Sequence, residues 1–409
     1  MFHRRPLLAF NYRDFRLFQI TRFCSTFGVQ MQSVAVGWQV YEITHDPLDL
    51  GYVGLAQFVP LLGFSFISGD VADRFDRRRI LLVYYAVLTL CAALLTAFTW
   101  IGGASTLGVG PIFVLLVLLG ASRAFGGPAA QALMPSLVSP SDFPNALAWN
   151  SSIWQVAVIL GPAIGGFLYG MRGGAGLVYG AFGICSLMSF FAMKTISVRT
   201  GRIEHGSTTW QRLIAGVAYV RHNRLLLGAI SLDLFAVLLG GATALLPAFA
   251  RDILAVGPLG LGILRSAPAF GAVMMAVFLA FKPLSRHSGY AMLGCVALFG
   301  LATCVFAVSR DFVLSICALV VMGASDAVSV FIRHTLIQLK TPAEMRGRVS
   351  AVSQVFISAS NELGEFESGI TAAWWGIGTA TLVGGIGTLV VVGIWSRLFP
   401  DLRKADRLI

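Results

Sequence analysis

Uncharged apolar runs of about twenty residues recur along the whole 409-residue chain, separated by short polar stretches. A helix of about that length crosses the roughly 30 Å hydrocarbon core of a bilayer. Most runs are apolar all round rather than on one helical face, whereas a large soluble helical protein would need polar faces at helical period. The pattern predicts spans over 17–41, 51–72, 79–101, 109–132, 147–170, 174–194, 225–249, 258–281, 288–308, 311–333, 349–371 and 374–397. The fourth and fifth are the least regular, because Arg123, Pro128 and Pro162 fall inside them. The longest polar stretch, 195–224, separates six spans from six. The expected fold is an all-α membrane protein of twelve transmembrane helices in two pseudo-symmetric halves, 1–194 and 225–409, joined by a cytoplasmic linker at 195–224. Within that linker, 210–224 has helical apolar spacing and reads as a segment lying on the membrane surface.

Composition agrees. Hydrophobic residues make up 56% of the chain and charged residues 12%, against roughly 25% charged in soluble domains. The net charge of +11 could suggest nucleic acid, but the basic residues sit in short clusters between apolar runs rather than on one soluble face. With the N-terminus inside, the cytoplasmic segments carry 24 of the 30 Lys and Arg residues. Three, Arg172, Arg251 and Arg310, fall in outside loops, and three, Arg22, Arg123 and Arg265, fall within spans. That asymmetry predicts both termini in the cytoplasm. The six cysteines lie in apolar runs without a CxxC pair, so no disulfide framework or zinc site is expected. The histidines lie in loops or at span ends, so no intramembrane metal cluster and no cofactor is expected.

Four constellations carry candidate chemistry. Between the second and third spans stands Gly69-Asp70-Val71-Ala72-Asp73-Arg74-Phe75-Asp76-Arg77-Arg78-Arg79. It resembles the loop signature of the major facilitator superfamily at Asp73, Arg74, Arg77 and Arg78, and departs at Asp76, where that family usually has Gly. The resemblance implies the major facilitator fold, with this loop latching a cytoplasmic gate; the plainer reading is a basic membrane anchor. In the fifth span, Gly161-Pro162-Ala163-Ile164-Gly165-Gly166 resembles the superfamily's antiporter signature. Glycines on one face allow close helix contact and Pro162 removes a backbone donor; ordinary small-residue packing is the plainer reading. Arg123 in the fourth span, with Gly127, matches the position of an Arg in proton-linked members. A charge there is costly and faces the bundle interior or snorkels to the surface. Arg22, nearer its span's end, reads as snorkelling.

The fourth constellation is acidic: Asp233, Asp326, Glu362, Glu365 and Glu367. Glu362 and Glu365 share a helix face near mid-span. Buried carboxylates of this kind load and release protons, and they are ranked first, then Asp233, then Asp326, which lies within reach of Arg333. The competing reading is structural pairing, with Arg265 as partner. The stretches TPAEMRGRVS and SNELGEFESG, with NALAWNSSIWQ and DLFAVLLGGATALLPAFA, resemble the superfamily's enterobactin-exporter and drug-efflux subgroup. Of the aromatic residues, Trp154 and Phe235 are mid-span candidates to line a substrate cavity, although most such residues face lipid.

The expected function is secondary active export, by alternating access and proton antiport, of a small amphipathic molecule. The resemblance makes a catecholate siderophore such as enterobactin the specific guess, with multidrug or macrolide efflux, or a lipid flippase on the same fold, as alternatives. The expected partners are that molecule, protons and the lipid bilayer, without nucleic acid. The expected place is a bacterial inner membrane, spanned many times. An enzyme is disfavoured by the lack of HExxH, GxSxG and GxxxxGK[ST] motifs. A fluorescent protein fused to the C-terminus is expected to fluoresce, and alkaline phosphatase fused there to stay inactive. The reverse pattern would overturn the inside orientation.

Overall fold

The computed structural model describes residues 7–198, 209–282 and 287–404; the side chains of residues 66, 73, 104, 105 and 209–213 lie outside the description. The described residues are overwhelmingly helical, with no strand among them. The long helices are α1 (Arg13–Thr44), α2 (Pro47–Arg74), α3 (Arg77–Trp100), α4 (Gly110–Leu133), α5 (Phe143–Gly170), α6 (Gly174–Thr195), α7 (Arg224–Leu239), α8 (Gly257–Phe281), α9 (Ser288–Val308), α10 (Phe312–Lys340), α11 (Ala343–Trp375) and α12 (Ile377–Leu398). Among the described residues, ten helical segments are long and apolar enough to cross a membrane. The long helices outside that set are α1 and α11, which carry more polar and charged positions.

The chain divides into two compact units. One holds residues 1–43 and 56–209; the other holds 44–55 and 210–409. In the first unit α3 packs most extensively on α6 and on α4, and α5 packs on α6. α1 approaches α5 backbone to backbone: a Cβ at Gly165 would stand 2.8 Å from Met31 Cα, and one at Gly161 would stand 2.5 Å from Gln30 Cβ. α4 approaches α2 in the same way, Gly120 lying against the Gln57 backbone. The polar residues of α1 are answered by its neighbours. Gln39 Oε1 accepts from Tyr179 Oη at 2.7 Å, and Ser189 Oγ donates to the Thr21 carbonyl at 3.2 Å.

In the second unit the same order of pairing recurs. α9 packs on α12 and α10, and α8 on α10. α11 meets α7 where a Cβ on Gly364 would stand 2.9 Å from the Leu238 carbonyl oxygen, and Gly323 of α10 lies against the Pro268 backbone of α8. First with fifth, second with fourth and third with sixth is therefore the contact pattern inside each unit. Small residues permit these approaches, and close packing holds helices together where lipid is as apolar as the side chains.

Two expectations change in detail. Arg123, Pro128 and Pro162 do not interrupt the fourth and fifth spans: α4 and α5 run unbroken through all three. The seventh span is broken instead. Regular helix stops at Leu239, before Gly240-Gly241, and a 3-10 turn, a short α turn holding Pro247 and a π turn carry the chain on to Ile253. Glycine and proline weaken the helix there, and the Ala236 carbonyl at the break accepts both the Gly240 N–H at 2.9 Å and Thr388 Oγ1 of α12 at 3.0 Å. In the linker, Thr209–His222 is helical. It packs on the start of α11, where a Cβ on Gly216 would stand 2.8 Å from the Arg348 carbonyl oxygen; Tyr219 Oη donates to the Lys340 carbonyl at 3.3 Å.

Gly165→Val places branched carbons where α1 backbone already sits, and overpacking of this kind costs about 1–3 kcal/mol. The variant is expected to unfold at lower temperature in detergent, while Gly127→Val, at a glycine with open space beside it, is expected to shift the midpoint much less.

Candidate functional site

The charged loop of the first unit is built as a helix junction. α2 ends at Arg74 and α3 begins at Arg77. Asp76 caps α3, its Oδ1 accepting from the Arg78 N–H at 3.1 Å, so the position where the family usually has Gly holds an N-cap carboxylate at a helix dipole's positive end. Arg77 is buried and its Nε donates to the Ala72 carbonyl at 3.3 Å. Arg78 reaches α6, donating to the carbonyls of Met193 at 3.3 Å and Lys194 at 2.5 Å, which supplies positive charge and donors at that helix's C-terminus. Arg74 is exposed in the last turn of α2, and the Asp73 side chain lies outside the described residues. Nearby, Asp14 Oδ2 accepts from the Ser197 and Val198 N–H groups at 3.0 and 3.1 Å, and Tyr12 Oη donates to Asp142 at 2.9 Å. The loop that holds Asp142, just before α5, is thus engaged by the N-terminal segment.

Deeper in the first unit lie two arginines. Arg123 of α4 is half-buried and its Nη1 donates to Gln57 Oε1 of α2 at 3.3 Å. Tyr84 of α3 is within electrostatic reach of both Arg123 and Arg22. The Gly161-Pro162-Gly165-Gly166 face is buried, and its glycines are the contact with α1 described above. Trp154 is exposed on α5.

The second unit holds the carboxylates in two separate clusters. In the first, Glu362 and Glu365 of α11 both lie within electrostatic reach of Arg265 on α8. Residues 44–55, which include the start of α2 and belong to this unit, lie against them. A Cβ on Gly54 would stand 2.8 Å from Glu365 Oε2 and 3.4 Å from Glu362 Oε2, and Gly51 lies against Gly369 and the Phe366 backbone. Gly54 is therefore a site residue that sequence reasoning missed, and only its spacing from Gly51 hinted at a packed face. Glu367 is half-buried on the same helix.

In the other cluster, Asp233 of α7 forms a buried ion pair with Arg333 of α10. Asp326, two turns before Arg333, lies within electrostatic reach of both. The ion-pair partner of Arg333 is thus Asp233, from another helix, where the sequence placed Arg333 within reach of Asp326. Phe235 sits two residues beyond Asp233, about 200° around the helix, and packs on Trp395 of α12 with ring centroids 5.1 Å apart. The two α7 candidates therefore face different neighbours.

Breaking a buried pair by removing one partner costs about 3–5 kcal/mol, because a charge is left without compensation. Arg333→Ala leaves two carboxylates together and is expected to be severely destabilised. Asp233→Asn leaves Arg333 with Asp326 and is expected to lose less. Thermal unfolding of the two purified variants checks the order, and equal losses would contradict it.

The family model described as transmembrane secretion effector matches residues 5–407. The multidrug efflux pump Tap of Mycobacterium tuberculosis is 27% identical over 401 residues, covering 93% of this chain and 91% of the relative. The enterobactin exporter EntS of Escherichia coli is 24% identical over 380 residues, covering 92% and 86%. Among solved structures, a peptide transporter POT superposes with a TM-score of 0.74 at 13% identity over 97% of this chain and 96% of that one. The nucleoside transporter NupG superposes with a TM-score of 0.70 at 14% identity over 94% and 99%. With a match over nearly its whole length and a fold shared with such transporters, the chain belongs to the transmembrane secretion effector family and is a multi-pass transporter of the major facilitator superfamily.

Proposed function

We propose that this protein exports a small amphipathic organic molecule by alternating access, driven by proton antiport through Glu362 and Glu365. The observation that carries the reading is the cluster of these two carboxylates with Arg265. A charge held away from water needs a partner, and a carboxylate held beside a guanidinium away from water can take up and release a proton. Binding that proton weakens the hold on Arg265, and releasing it restores it, so proton traffic is linked to the contacts between α8, α11 and the start of α2. Arg123, in its hydrogen bond to Gln57, and Asp233, in its pair with Arg333, are the further members of the proposed coupling set.

The remaining parts follow the same reading. Twelve crossings in two six-helix halves, 1–194 and 225–409 with the 195–224 linker between them, require α1 and α11 to cross as well. Their polar residues then face protein rather than lipid, as the burial of Gln19, Gln32 and Gln39 on α1 supports. Asp73, Arg74, Arg77 and Arg78 form a gate at the cytoplasmic face of a bacterial inner membrane, with both termini on that side. Gly161, Pro162, Gly165 and Gly166 provide the close helix contact a sealing helix needs, and Trp154 and Phe235 offer apolar surface to a bulky solute.

A catecholate siderophore is the first substrate to test, in line with the relative named as an enterobactin exporter. Multidrug efflux is the second reading, favoured by the higher identity to the relative named as a multidrug efflux pump. In proteoliposomes with an imposed pH gradient, the intact protein is expected to move catecholate siderophore against its concentration gradient. Glu362→Gln and Glu365→Gln are each expected to cut gradient-driven transport at least tenfold while substrate still binds. Full-rate pumping by both variants would sink the coupling assignment. A cationic dye transported in place of the siderophore would move the substrate to the second reading.

A further inference from the structure

Between α7, α9 and α10 of the second unit lies a small cavity with room for about one water-sized body. Its polar walls are the carboxylates of Asp233 and Asp326 and the hydroxyls of Ser325 and Ser329; Val296 and Phe299 form part of the apolar remainder. The three α10 residues stand at positions one, two and five of a helical stripe, with Arg333 one turn further along the same face.

Two observations distinguish this cavity from a structural ion pair. The first concerns the hydroxyls. Ser325 and Ser329 are each 2% exposed, and neither Oγ has a hydrogen-bond partner among the described residues. Several other helical hydroxyls in this unit bond to the preceding turn, as Ser266 does to the Gly262 carbonyl at 2.9 Å and Thr303 to the Phe299 carbonyl at 2.9 Å, although Ser353 of α11, like the two serines here, has no partner among the described residues. A buried hydroxyl left without a partner keeps its desolvation cost uncompensated, so two of them beside one cavity point to something that they hold.

The second concerns charge. Asp233 is compensated by Arg333, and Asp326 lies within electrostatic reach of that same pair. With both carboxylates ionised, one guanidinium leaves a single negative charge. His334, also within electrostatic reach of Asp233 and Arg333, lines no wall of the cavity, and an imidazole is largely neutral above its ordinary titration range. An anion is rejected by the carboxylates, and a divalent cation would exchange one uncompensated charge for another. Water would satisfy the hydroxyls and leave the charge.

We propose that this cavity binds one sodium ion, held by oxygens of Asp233, Asp326, Ser325 and Ser329. Hard cations take carboxylate and other oxygen ligands, and a single positive charge closes the local balance. The ion ties α7 to α10 beside the broken seventh span. The site lies apart from the Glu362 and Glu365 cluster and shares only Asp233 with the proposed coupling set; its test reads no transport, so the two proposals fail separately.

The experiment is thermal unfolding of the purified full-length protein at pH 8 and fixed ionic strength, with sodium chloride replacing choline chloride. The intact protein is expected to show a saturating rise in midpoint of about 2–6 °C, as for a ligand that binds only the folded state, with a smaller rise for potassium. Asp326→Asn and Ser329→Ala are expected to flatten the titration; should Asp326→Asn not fold, the Ser329→Ala protein and the intact protein decide. A flat titration of the intact protein overturns the proposal, as does a sodium response that Ser329→Ala leaves unchanged. A midpoint that responds to acidification and not to sodium assigns the occupant as a proton and overturns it equally.

Discussion

Everything in this structure follows from the cost of leaving a polar group in hydrocarbon without a partner. Backbone groups meet that constraint by staying helical, which is why α4 and α5 continue through Arg123 and Pro162 rather than opening there. Where helix does fail, at Gly240-Gly241, a side chain from another helix joins at the last regular turn: Thr388 donates to the Ala236 carbonyl. Charged side chains meet the same constraint across helices. Arg333 pairs with Asp233, Arg123 with Gln57, and Glu362 and Glu365 lie within reach of Arg265.

Because those partners come from different helices, the charges are also what a moving bundle must rearrange. A transporter needs contacts that are strong in one arrangement and replaceable in another. Glycine contacts and ion pairs divide that work. The approaches at Gly165, Gly364, Gly120 and Gly323 are rigid, since backbone meets backbone with no side chain to re-pack. In the proposed function the carboxylate clusters change charge by binding one proton or one cation, and their grip on a neighbouring helix changes with it.

The matching order of helix contacts in the two units belongs to the same economy. First with fifth and second with fourth recur at glycines whose surrounding sequences share little: Gly165 sits in an IGGF context and Gly364 in an ELGEF context. What is repeated is the geometric need for a small residue at one crossing point, and many sequences meet it. This explains how a repeated architecture coexists with little visible identity between the corresponding segments.

The sequence by itself determined the class of the protein. Apolar length, charge placement and the Asp-Arg-Phe-Asp-Arg-Arg-Arg loop were enough for a multi-pass transporter of the major facilitator superfamily, because each is a local property that the bilayer imposes residue by residue. It also named the intramembrane charges, since any ionisable residue inside an apolar run stands out, and it weighed Arg265 as a partner for the α11 carboxylates. It could not say which of the other charges meet. That Arg333 ion-pairs with Asp233, that Gly54 makes room for Glu365, and that Ser325 and Ser329 turn from their own helix toward a cavity are facts of crossing angle and rotation about each helix axis. Those are set by contacts between residues about a hundred or more positions apart, and no pattern along a single helix encodes them.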